Sequence, residues 1–515
     1  VRRTTRTLAA VATLGVVATG GLAGCASTGG AAPKDDWSEL TVAAVAEPTS
    51  FDPAQAAQAN YAQYFQPVFD TLIRRMPDGS LAPMLATDWS LSEDGRTATL
   101  DLRDDVTFSD GTAFDADVAK QNLLRFRDAG GPFAANLADV ADVVVVDDDT
   151  IELEMSTPDP DIFEYLGNSA GYMASPAQFE SDSVATAPIG SGPYVLDRTQ
   201  TASGAQYTYV KRDDYWDDTA EWDWFDTLVI KPIPDPSARM NAMKSGEVDT
   251  GIIEPKQIPE AEKSGLNVTT FQVNWYGLSI FDRDGAMVPA LADPRVRQAI
   301  NYAIDDEAIL TAVELGYGER TDQTFNTQSE AYNPDYDERY PFDPDKAREL
   351  LKEAGYEDGF DVTMPSSSSM DPAMLAAVAQ DLRAVGIRVT YQEVSPADFI
   401  PSLRGGKFAM TWMSFAEPPT AWGTVHQFLQ PGSAWNVLKT QDDRIDDAVE
   451  TALANLTDPE VYDAAMQEIN DVVVEDAWNA PFYRVQQGVV SRVGLTVVGQ
   501  AGQAAPSIYN YTLDD

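Results

Sequence analysis

The residues of this chain best suited to chemistry are aromatic. Trp412, Phe415, Trp422, Phe428 and Trp435 crowd one segment together with Ser414, Glu417, Pro418 and Pro419. Apolar residues of a helix recur at three- and four-residue spacing, whereas this run is broken by prolines, so the sequence predicts a loop. Aromatic faces beside a few polar groups suit a pocket for an organic ligand. The same side chains would equally plug a seam between domains. Nucleophile–base pairs are hard to assemble, because His426 is the sole histidine and Cys25 the sole cysteine. The sequence has no His-Glu-x-x-His helix, no Gly-x-x-x-x-Gly-Lys loop and no dinucleotide-type glycine fingerprint. Asp147-Asp148-Asp149 lacks the spaced ligands and closing Glu of a calcium loop and reads as a hairpin turn. The 82 acidic residues offer many carboxylate pairs but single out none for glycoside hydrolysis. No catalytic residue, metal or cofactor is expected.

Composition narrows the partners. The formal charge of −47 repels phosphate backbones and anionic headgroups, which excludes nucleic acid and a basic membrane patch. A hydrophobic content of 44% is enough to fold. One cysteine allows neither an internal disulfide nor a Cys-based zinc site.

The elements that would position these residues are legible in part. Leu40–Val45, Thr97–Leu102, Val143–Val146, Thr150–Met155, Thr227–Lys231 and Ile387–Val394 read as strands. Asp115–Phe126 reads as a helix. Asp293-Pro294, Asp343-Pro344 and Asp458-Pro459 each supply an N-cap and a first-turn proline. Gly355 ends the second of these helices, and the third runs towards Val474. Tyr215, Trp216, Trp222, Trp224 and Phe225 read as a turn before a strand, and Ser366–Ser369 as a loop. Irregular alternation of strands and helices predicts a mixed α/β protein.

Arg2, Arg3 and Arg6 precede an uncharged run from Leu8 to Gly24, the pattern of a secretory signal. The run is too short and too rich in Gly and Ala for a membrane-spanning helix. Leu22-Ala23-Gly24-Cys25 resembles the bacterial lipobox. That resemblance implies that residues 1–24 are removed, that Cys25 carries lipid, and that residues 25–36 are a flexible tether. The body would then sit at the outer face of the cell membrane, or in the periplasm where a second membrane exists, held by lipid alone.

Several segments, in order, resemble the bacterial extracellular solute-binding proteins of ABC importers, the family with dipeptide-, oligopeptide- and nickel-binding members. They are Ser50-Phe51-Asp52-Pro53, Val68-Phe69-Asp70-Thr71-Leu72, Asp78–Ala86, Trp89–Gly95 with Leu102–Thr112, Gly190–Tyr194, Gly246–Asp249, Asp293–Ile300, Ala347–Tyr356 and Leu382–Val389. The resemblance implies a two-lobe periplasmic-binding-protein-like fold of type II, in its large three-subdomain form, closing on a ligand by a hinge. Lobe I would comprise 37–60, 187–272 and 485–515, with an inserted subdomain at 61–186, and lobe II 273–484. The implied protein is a monomeric, non-catalytic binder that hands a small solute to a permease driven by ATPase subunits. An exported carboxylate-based hydrolase and a surface receptor without transport are the alternatives.

The resemblance also implies a site. Trp412 would form an aromatic wall, with Phe415, Ser414 and Glu417 beside it and Tyr61 and Trp435 as further ligand-binding candidates. In peptide-binding relatives an Asp after the Trp pairs with the ligand's ammonium, and Ser414 falls at that position. A hydroxyl is a poor counter-charge for a buried ammonium, so free-amine peptides lose support unless Glu417 takes over. Nickel relatives place a His after the acid-Pro, where Pro419 stands here. Blocked or unusual peptides, saccharides and other organic solutes remain.

Overall fold

The computed structural model describes residues 34, 36–56, 59–179, 181–217, 225–500 and 502–514. The expected signal segment, Cys25 and nearly all of the tether lie outside the described residues, as do Trp222 and Trp224. No helix among the described residues is long and apolar enough to cross a membrane.

A nine-stranded sheet organises the molecule. Its strands lie in the order Met410–Ala416, Asn267–Ile280, Asn479–Ser491, Thr250–Ile253, Glu39–Ala44, Thr227–Pro232, Tyr207–Lys211 and Tyr194–Leu196, with Gly318–Arg320 added to Asn479–Ser491. Glu39–Ala44 runs parallel to both neighbours, and Leu40–Ala44 are buried on both of its faces, Thr41 included. The two longest strands, Asn267–Ile280 and Asn479–Ser491, pair antiparallel along their whole length. A register shift between Gln272 and Asn274 breaks that ladder in the middle, and such an extra residue bends a strand. Before the bulge, Val489 joins a core built on Leu40, Tyr64, Phe69 and Tyr209. Beyond it, Leu278, Ile280, Phe482 and Tyr483 join a second core with Ile300, Leu351 and Leu382. Gly277 is required there, since a Cβ would sit 2.3 Å from the Ala480 carbonyl oxygen.

A four-stranded antiparallel sheet, Ala86–Leu91, Thr97–Leu102, Thr150–Met155 and Val140–Asp147 in spatial order, packs with the helix Ala116–Asp128 around its own core. Asp115 caps that helix by accepting from the Val118 amide at 2.9 Å. The aspartates before proline behave as their sequence predicts. Asp293, Asp343 and Asp458 cap Pro294–Ala303, Pro344–Glu353 and Pro459–Glu475, and Gly355 stops the second with φ +85°. Tyr215 and Trp216 form an anchor: the phenol and the indole N–H donate to the fully buried Asp70 at 3.0 and 2.8 Å.

Two expectations are corrected. The aromatic segment is no loop at its start, because Met410–Ala416 is a strand paired with Asn267–Ile280. Trp412 falls in one core and Phe415 in another. Two opposite faces with different partners look aperiodic in sequence, and Pro418-Pro419 lie beyond the strand's end. The Ser366–Ser369 loop also begins later than read, since Ser366 closes the strand Phe360–Ser366.

Candidate functional site

The strand Met410–Ala416 carries the aromatic wall because its period of two turns Trp412 and Ser414 to the same side. Trp412 leans on Tyr276 with ring centroids 5.9 Å apart, and Tyr276 stacks on Tyr483 at 5.7 Å and 15°. Tyr276 and Trp412 border a cavity of ≈ 650 Å³ that Ser414 also lines, a size suited to a small organic solute. The Trp412 indole N–H and the Tyr483 hydroxyl are buried without hydrogen-bond partners. Asn60, Arg239 and Glu254 line the same cavity.

The electrostatics of this cavity were not legible in the sequence. Glu254 pairs with Lys256 at 2.8 Å. Burial pushes the Glu314 carboxyl above its usual range, against the pull of Lys256, with Asp371 and Glu254 adding to the rise. The Arg239 guanidinium is spent on carbonyls, donating to Ile252 at 2.7 Å and Ile233 at 2.8 Å. Glu314 ends the helix Asp306–Glu314 and Asp371 caps Pro372–Ala384. Only the Asp371-Pro372 dipeptide signalled a structural role, and neither residue carried a ligand signal.

A second cavity of ≈ 660 Å³ lies beyond the end of the same strand, where Ala416, Glu417 and Trp435 face Asp161, Glu164 and Tyr165. The lone histidine, His426, lines it too. No cluster of three or more metal-binding side chains occurs among the described residues.

The six candidates therefore divide. Trp412 and Ser414 share the first cavity, and Glu417 and Trp435 border the second. Phe415 lines neither: it stacks on Trp275 at 4.8 Å and meets Trp435 edge-on at 5.0 Å, as core. Half-buried Tyr61 packs beside the core of Leu40 and Tyr64, while its neighbour Asn60 reaches the first cavity. Glu417 is already neutralised. Arg484, 1% exposed in its side chain, donates from Nε to Glu417 at 2.8 Å, from Nη1 to Asp337 at 2.9 Å and from Nη2 to the Phe325 carbonyl at 2.8 Å. Burial pushes the Glu417 carboxyl up to about 7 against the pull of Arg484. A carboxylate so engaged does not stand in for the missing Asp as a counter-charge to an ammonium.

Separate cores on either side of one bent strand pair, with solute-sized cavities beside them, define a two-lobe solute binder of the periplasmic-binding-protein kind. Comparison with known proteins agrees. Residues 80–436 match the model for bacterial extracellular solute-binding proteins, family 5 (middle), and the chain belongs to that family. It is 31% identical over 364 residues to the glutathione-binding protein GsiB of Escherichia coli O1:K1 / APEC, covering 68% of each chain. In fold it is similar to HbpA2 from Haemophilus parasuis, with a TM-score of 0.81 and 22% identity over 93% of this chain and 100% of that one. NikA from Brucella suis, solved with Fe(III)-EDTA, gives 0.79 and 24% over 92% and 100%. The chain is thus an exported solute-binding component of an ABC importer and not an enzyme.

Proposed function

We propose that this protein is lipid-anchored through Cys25, works as a monomer, and captures a peptide-like or other organic solute between two lobes for delivery to a membrane permease. Lobe I is assigned to 37–60, 187–272 and 485–515, with the inserted subdomain at 61–186, and lobe II to 273–484. The bulge between Gln272 and Asn274 supports a hinge at that boundary. The observation that carries the reading is the Trp412 cavity, with Asn60, Arg239 and Glu254 on one wall and Tyr276, Trp412 and Ser414 on the other. A solute touching both walls favours the closed form by its differential affinity for it. The names of relatives extend to glutathione and to a metal chelate, and both fit an organic solute rather than a bare ion.

The test uses gently purified protein. Mass spectrometry of what co-purifies identifies the solute. Adding it back to stripped protein is expected to reduce the radius of gyration in small-angle scattering and raise the melting temperature. A solute that binds without compaction, or is chemically converted, overturns the reading. The anchor has its own test: Cys25→Ser is expected to move the protein from the membrane to the soluble fraction, because the acyl chains carry the membrane affinity and no helix among the described residues is long and apolar enough to cross a membrane. A variant that stays on membranes after a salt wash refutes lipidation.

A further inference from the structure

The turn before the short helix Ile162–Leu166 touches a distant part of the chain. Thr420 donates its hydroxyl to Asp161 at 2.8 Å, and the Trp422 indole N–H donates to Asp159 at 3.1 Å. Asp159 and Asp161 lie in the segment 61–186 assigned above to the inserted subdomain, and Thr420 and Trp422 in lobe II. Both bonds therefore join units that are proposed to move apart. Chain connection does not force the contact, since 259 residues separate Thr420 from Asp161. Asp161 and Trp422 are 5% and 4% exposed, so its centre is buried. The fit extends beyond the polar pair: Gly95 of the subdomain backs onto Leu456 of lobe II with no room for a Cβ.

This contact is rich in acids. Asp159 and Asp161 share it with Glu164 from the subdomain and with Glu330 from lobe II, which accepts from the Ala421 amide at 3.1 Å. Asp139 and Tyr165 face the group from the subdomain, and Tyr462 and Asp463 face it from lobe II. The bases among the described residues are Arg75, ion-paired with Glu164 at 3.3 Å, and His426, whose positive charge favours ionised Asp159. Gathering carboxylates from two units in a buried place disfavours their charged forms. Burial raises Asp161 well above its ordinary 3.8, with the charges of Asp159 and Glu164 adding and the Thr420 hydroxyl opposing. Asp159, Glu164 and Glu330 are raised too, each chiefly by burial.

From this contact we infer a proton-linked latch, in which the inserted subdomain docks on lobe II through Asp159 and Asp161 and the docked form gains as pH falls. Parting the two units returns these carboxyls to water and to their ordinary range, so the docked form binds more protons. Its advantage is complete below about pH 4 and is lost as pH rises through the raised values. A protonated carboxyl keeps an oxygen that accepts, so the bonds from Thr420 and Trp422 survive proton uptake. Glu417 lines the neighbouring cavity but takes no part, because its partner Arg484 lies in the same lobe and moves with it. An exported binder meets the pH of its surroundings directly, and the latch ties closure to that pH.

The inference rests on the two-lobe reading and is tested separately from it. Small-angle scattering is recorded on purified protein stripped of solute, at about pH 8 and about pH 5.5. The radius of gyration is expected to fall at the lower pH by on the order of 1 Å, from roughly 23 Å for a compact chain of this size. Asp159→Asn combined with Asp161→Asn mimics the protonated pair and is expected to give the smaller radius at both pH values. Thr420→Val combined with Trp422→Phe removes both donors of lobe II and is expected to give the larger radius at both. This second variant decides the matter if the first fails to fold. A wild-type radius that does not change with pH overturns the latch. A shift that survives in full in the asparagine variant, or in its place in the donor variant, overturns it as well, and the charge of the whole chain then drives the compaction. None of these outcomes affects compaction on the co-purified solute at fixed pH, which tests the broader reading.

Discussion

Arg484→Ala is expected to lower unfolding stability by about 3–5 kcal/mol, the range for breaking a buried ion pair by removing one partner. Glu417 and Asp337 both depend on this guanidinium, and Glu417 is 2% exposed. Without it, one carboxylate is left in the interior and the Phe325 carbonyl loses its donor. Arg484→Lys recovers little, since an ammonium cannot serve three acceptors in the directions the planar fork does. Glu417→Leu combined with Arg484→Met is expected to recover much of the loss, because apolar replacements remove the orphaned charge as well as the pair. Chemical denaturation of the four proteins measures this. A loss below about 1 kcal/mol in Arg484→Ala, the level of an exposed pair, would show that water reaches the network.

Trp412→Ala is expected to weaken the co-purified solute by about 1–3 kcal/mol, as truncation of an aromatic hot spot does. Trp412 is 8% exposed and belongs to the core of Leu278 and Leu382, so the same change also lowers the melting temperature. Trp412→Phe separates the effects. It keeps most of the buried ring and removes the indole N–H that has no partner in the protein, so affinity should fall with little loss of stability. Ser414→Asp adds a carboxylate beside Tyr276, its neighbour across the ladder, and should improve binding of free-amine peptides. Isothermal calorimetry with thermal melts decides these points. Unchanged affinity in Trp412→Ala would move the solute away from this wall.

Local signals were read well where the physics is local. An aspartate before proline fixes a helix start through its own carboxylate and the preset φ of proline, and Asp293, Asp343 and Asp458 all cap as expected. The hairpin of Val140–Asp147 and Thr150–Met155 follows from alternation and an acidic turn. The aromatic segment was misread because its two faces serve different cores, which hides the period of two. Arg484 carried one faint mark, a lone cation inside the apolar run Ala480–Val485.

The sequence by itself determined the family and the α/β class, since ordered motifs and local periodicity are properties of the chain; that Trp412 and Ser414 share one side followed only from the strand pairing of Met410–Ala416. Which charges meet was decided only by tertiary structure. Glu417 and Arg484 are 67 residues apart, and Arg75 meets Glu164 only across the folded molecule. Long-range electrostatics has no period along a chain with 82 acids. Burial selects the few carboxylates whose charge matters, and burial exists only once the cores have formed around the shared strand pair.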